Sequence, residues 1–154
     1  MRRLALTAAG LLTAVSLALF LATSVRANAS VRHTCSATDR QFIDTAKTNI
    51  AAIGLWGQEY LHGDARPGEV VSEAKQAAKI VMGTAPTDPS LSTTRSLLNG
   101  MFTEYGKAVH ARAKHRDAGP HMYRAYGLAN YAHGVLAKAQ PPLFRLGCDL
   151  TPLL

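Results

Sequence analysis

Apolar residues recur every three or four positions along most of this chain, the period of one helical face, and no segment alternates as a half-buried strand would. Four helices are expected. The first runs over about 38–62: Phe42, Ile43, Ala46, Ile50, Ile53, Gly57, Tyr60 and Leu61 form its stripe, Ser36 and Asp39 have capping-box spacing, and Gly63 stops it. The second runs over about 67–82. Pro67 is placed where its missing N–H costs nothing, Glu69 and Glu73 suit the dipole, and Val70, Val71, Ala74, Ala77, Ala78 and Val81 form the apolar face. Asp88-Pro89 reads as a cap and first residue of a third helix, about 89–116, with Leu91, Leu98, Met101, Phe102, Tyr105 and Val109 inward. The fourth covers about 120–140, with Ala125, Leu128, Ala129, Ala132, Val135, Leu136 and Ala139 as its core stripe and Pro141-Pro142 as its stop. Leu55 and Leu97 project away from these stripes and hint at a partner surface.

Short loops make successive helices antiparallel, so the expected fold is an all-α, up-down-up-down four-helix bundle. The cysteines offer an independent check. Cys35 precedes the first helix and Cys148 follows the fourth, and a bond between them requires both to lie at one end of the bundle. Such a bond closes a loop of more than a hundred residues, a stabilisation of about 4–5 kcal/mol in the chain-entropy picture. Without C-x-x-C spacing a redox role has no support.

The first thirty residues stand apart from this pattern. Arg2 and Arg3 precede an uncharged apolar run from Leu4 to Ala22, and Ala27-Asn28-Ala29 has the small-x-small form that signal peptidase reads. The expectation is a signal peptide over 1–29 and a bundle domain over 30–154. Cleavage after Ala27 and an uncleaved membrane anchor are the alternatives. A secreted, oxidising destination agrees with a single cystine. No second apolar stretch is long enough to span a membrane after cleavage.

Charge changes the picture modestly. The formal charge of +7 falls to +4 once Arg2, Arg3 and Arg26 leave with the signal, since all ten acids stay. That favours anionic polymers without amounting to a nucleic-acid footprint. Arg112, Lys114, Arg116 and Arg124 gather near one end of the bundle and are the leading binding candidates, although helix-dipole complementation explains the first three as well.

Of six histidines, the topology brings His62, His115 and His121 to one end, with Asp64 and Asp117 nearby and His110 about a turn away. Solvated turn residues are the simpler reading and a Zn²⁺ or Cu²⁺ site the alternative. On the flank of the fourth helix Met122, Tyr126, Ala129 and His133 share a strip. Met, Tyr and His are all haem axial ligands, but a helix–helix seam explains the strip too. Six glycines inside predicted helices (Gly54, Gly57, Gly100, Gly106, Gly127 and Gly134) are tolerated most readily where helices approach closely or a ligand needs room. No nucleophile elbow, P-loop, H-E-x-x-H or dinucleotide fingerprint is present, and nothing argues for an enzyme.

Several of these features occur together: the export signal, Cys35 ahead of the first helix, Tyr123-Arg124-Ala125-Tyr126-Gly127-Leu128-Ala129-Asn130, and the ending Gly147-Cys148-Asp149-Leu150-Thr151-Pro152-Leu153-Leu154. The ensemble resembles small secreted helical proteins of unknown function from actinobacteria. Its cysteine placement and Cys-x-Leu-x-Pro ending are similar to the mycobacterial haemophore-like family, a resemblance that implies haem as a ligand but assigns no residue to it. The expectation is a secreted, non-enzymatic protein without a cofactor that binds a protein partner or an anionic envelope polymer. A haem- or metal-binding carrier is the alternative.

Overall fold

The computed structural model describes residues Thr34–Leu154; the export signal and its cleavage sites lie outside them. Four helices follow one another: α1 (Ala37–His62), α2 (Pro67–Met82), α3 (Pro89–Ala113) and α4 (Gly119–Arg145), then a 3-10 turn over Thr151–Leu153. No strand occurs among the described residues.

The caps act as their sequences dictate. The Ser36 hydroxyl accepts from Asp39 N–H at 3.0 Å, and Asp88 accepts from Ser90 and Leu91 N–H at 2.8 and 3.2 Å. Glu69 takes the Arg66 N–H at 2.8 Å ahead of Pro67. Gly63, at φ 86°, ends α1 while Asp64 N–H returns to Glu59 O at 2.8 Å, a Schellman turn.

Two helix ends depart from expectation. α3 stops at Ala113, not Arg116, because His115 takes a left-handed φ of 53° and Arg116 N–H closes back on Ala111 O at 2.9 Å. α4 runs through Pro141 and Pro142 to Arg145. Two interior prolines are costly. The turn persists because it carries Leu143 into the core, while both prolines and the carbonyl-bearing residues they fail to pair with, Ala137 and Lys138, face solvent.

That last turn fixes the closure of the chain. Gly147, at φ 86°, lets Cys148 N–H return to Leu143 O at 2.9 Å, which turns Cys148 back toward α1. Cys35 and Cys148 are bonded, with Cα atoms 5.1 Å apart, and Cys35 N–H donates to Leu146 O at 2.6 Å. Both cysteines therefore lie at one end, as the up-down-up-down order demands. Behind them Leu150 is fully buried and its N–H donates to the Gln140 side chain at 2.7 Å.

Phe42, Leu91, Phe102, Leu136 and Val81 centre the core. Helix α3 packs against all three others, and α2 and α4 lie most closely on it. A Cβ at Gly100 would stand 3.1 Å from Leu128 Cδ1, so glycine eases the α3–α4 approach there. No Cα of α1 comes within 8 Å of a Cα of α4. This explains why Leu61 and Ile50, read as core-facing, are 70% and 36% exposed: no helix covers that flank of α1. Leu97, expected to point outward, packs against the core instead, while Leu55 is exposed.

A second tie at the cystine end joins α1 to the α2–α3 loop. Buried Asp39 accepts from Thr87 N–H at 2.7 Å, Thr87 Oγ1 at 2.8 Å and Asp88 N–H at 3.1 Å. Burial acts to raise its pKa, but the donors of Ser36, Asp88 and Thr87 outweigh that effect and hold it below its ordinary value. Asp39→Ala should cost about 2–3 kcal/mol at neutral pH. A carboxyl with a lowered pKa contributes stability above its unfolded value of 3.8 and loses it as pH falls through the folded value. Urea titrations of variant and native protein should therefore differ most at pH 7 and converge in acid.

Candidate functional site

The helix ends opposite the cystine bring the α1–α2 and α3–α4 turns together, and there two clefts flank α3. Along α3, Tyr105, Ala108, Val109 and Arg112 face one of them, while Phe102, Thr103, Gly106, Lys107 and His110 face the other.

The first cleft occupies the open seam between α1 and α4 and has a volume of about 510 Å³. Ile53, Gly54, Gly57 and Leu61 line it from α1, and Ala118, Gly119 and Met122 from the start of α4. Its interior is apolar, with polar groups at Tyr60, Tyr105, Gln58 and Arg112. The Arg112 guanidinium lies over the Tyr60 ring, 6.0 Å from its centroid. A Cβ at Gly57 would meet the Tyr105 hydroxyl at 2.7 Å, so glycine makes room for that phenol. At Gly54 an added Cβ meets nothing within 4 Å. Burial, and then the neighbouring Tyr60, push the Tyr105 pKa up and keep its hydroxyl protonated.

The second cleft lies between α2, α3 and the α3–α4 turn, with a volume of about 470 Å³. Over an apolar floor of Val71 and Phe102 it gathers Lys75, Lys107, His110, Arg116 and His121, with Asp117 as its acid. Beside it Glu104 binds the start of α4 to α3. Its carboxylate accepts from Lys107 Nζ at 2.6 Å, meets His121 Nδ1 at 2.8 Å and stands 3.8 Å from Arg124 Nε. The Lys107 bond first, then His121, hold the Glu104 pKa down at about 2. Lys75, Arg116 and His110 have no carboxylate within 4.0 Å among the described residues.

The expected basic group is thus divided. Arg112 belongs to the apolar cleft and Arg116 to the basic one, on opposite sides of α3. Lys114 caps α3 in solvent, and Arg124 is drawn to Glu104. The histidines do not converge either. His62 and His115 are exposed, His121 is engaged by Glu104, and among the described residues no group of three or more His, Cys, Asp or Glu could hold a metal. Of the strip proposed for haem, Met122 lines the apolar cleft, whereas Tyr126 is 66% exposed and His133 is exposed. No histidine lines that cleft, and Met122, Tyr126 and His133 do not converge on it.

Lys75, Lys107, Tyr60, Tyr105 and Glu104 were not legible as site residues. The tyrosines read as core by their spacing, and the others acquire meaning only once α2 and the start of α4 are set against α3. Gly54 and Gly57 did carry a signal, since glycine inside a helix needs a spatial reason.

No protein-family model, curated protein or solved structure matches the chain. No helix among the described residues is long and apolar enough to cross a membrane.

Glu104→Gln keeps the side chain's shape but removes the charge that Lys107, His121 and Arg124 share as a partner, and should cost about 1–2 kcal/mol at pH 7 after allowance for the exposure of Lys107 and Arg124. The Glu104 contribution is complete above 4.5 and is lost as pH falls toward about 2. Denaturation midpoints at pH 7 and pH 3 check this: the gap between variant and native protein should be smaller at pH 3.

Proposed function

We propose that this is an extracytoplasmic, non-enzymatic binding protein whose basic cleft receives an anionic polymer of the cell envelope. The observation that carries the reading is the convergence of Lys75, His110 and Arg116, together with Lys107 and His121, along one groove. Phosphate or carboxylate groups repeated along a polymer would meet several cations in succession, and an apolar floor beneath them lowers the local dielectric and strengthens each contact. The cystine suits an oxidising compartment. The Ala27-Asn28-Ala29 motif supplies a route to it.

Retention on isolated cell-wall material, measured across a salt series, tests the proposal. Binding should fall steeply with salt. The double variant Lys75→Gln, Arg116→Gln should lose about tenfold in affinity, some 1.4 kcal/mol, and show a shallower salt dependence. Lys138→Gln, on the exposed side of α4, should bind as the native protein does. Retention that ignores salt and the loss of Lys75 and Arg116 would overturn the reading, as would capture by an acidic protein in preference to the wall polymer.

A further inference from the structure

The apolar cleft is on the other side of α3 from the basic one, and polymer binding does not account for it. We propose that it is a second binding site, for a small amphiphile with an alkyl chain and one carboxylate. The chain would lie on Ile53, Leu61, Val109 and Met122, and the carboxylate would meet the Arg112 guanidinium.

Size, lining and charge each narrow the occupant. A volume of about 510 Å³ falls within the range of roughly 300–1,000 Å³ typical of small-ligand pockets. From Ile53 to Leu61 the cleft follows α1 for about 12 Å, so an alkyl chain can lie along it. Most of the lining is apolar, with too few polar groups to satisfy the many hydroxyls of a sugar. Arg112 stands at the cleft over the Tyr60 ring, with no carboxylate within 4.0 Å of it among the described residues. A guanidinium pairs with a carboxylate through two parallel N–H donors. Its cation–π contact with Tyr60 already restrains it at the cleft, which lowers the entropy cost of that pairing.

The glycines support a site that is kept open. Gly57 gives way to the Tyr105 hydroxyl, and Gly54 presents bare backbone to the cleft. Each weakens α1 relative to alanine. Filling the seam with larger side chains would strengthen the helix and close the cleft.

Equilibrium dialysis of the purified protein against dodecanoate, dodecyltrimethylammonium and haemin, below micellar concentrations, tests this. Trp56 is the chain's single tryptophan and packs in the same small cluster as Tyr60 and Tyr105, so its fluorescence gives a second readout. Dodecanoate should saturate at one molecule per protein, with at least tenfold preference over the cationic amphiphile and over haemin. Arg112→Met should remove most of the head-group preference. Gly54→Leu should abolish binding of the alkyl chain while thermal stability holds or rises, which separates a blocked cleft from a misfolded protein. The double variant Lys75→Gln, Arg116→Gln should bind dodecanoate normally, so the two sites succeed or fail separately. Absence of saturable binding, equal affinity for both head groups, preference for haemin, or unchanged binding by Gly54→Leu would each overturn the proposal.

Discussion

One covalent link of 113 residues' sequence separation joins the front of α1 to the tail beyond α4. It stands where a four-helix bundle ordinarily has a helix–helix seam, because no Cα of α1 comes within 8 Å of a Cα of α4. Closure is instead local to one end. The sulfur bridge, the Cys35 N–H bond to Leu146 O, and the 3-10 turn that touches both α1 and α4 hold the first and last helices in one core. The prolines of α4 belong to the same device. Their cost is borne because the turn that contains them delivers Leu143 to the core and Cys148 to its partner.

The opposite end follows from this asymmetry. Small residues let α2 and α4 settle closely on α3: Gly106 meets Ala74 and Gly100 meets Leu128. Helix α1 carries Trp56 and Tyr60 at its far end and stands away from α4. Far from the cystine, nothing draws α1 and α4 together, and the seam widens into an apolar cleft with Arg112 at its edge. On the other side of α3 the turn into α4, anchored by Glu104, places Arg116 and His121 opposite Lys75. Both clefts thus depend on how α3 is positioned.

The helix count, the three interhelical turns and the cystine were legible because caps, prolines and glycines are local signals with local causes. Helix ends set by tertiary burial were not. The continuation past Pro141-Pro142 depends on Leu143 and Cys148, and the early stop of α3 on a left-handed His115, a conformation more usual for glycine. Asp39 read as an N-terminal turn residue; its bonds to Thr87 and Asp88 join segments 48 and 49 residues apart, beyond any local pattern. The basic candidates lie at exposed positions, but spacing along α3 could not show that Arg112 and Arg116 open onto different clefts. Exposure of Ile50 and Leu61 was hidden for a related reason: a helical stripe marks a face, not whether a neighbour reaches it.

Native-state hydrogen exchange of the oxidised protein and of a Cys35→Ser, Cys148→Ser variant addresses the central point directly. If the cystine end replaces a missing α1–α4 seam, losing it should speed exchange first in Phe42–Ile53 of α1 and in the last turns of α4, with amides of α2 and the middle of α3 the slowest to change. Global stability should fall by about 4–5 kcal/mol in the same experiment. A uniform rise in exchange across all four helices, or protection of α1 and α4 that does not change, would contradict the account.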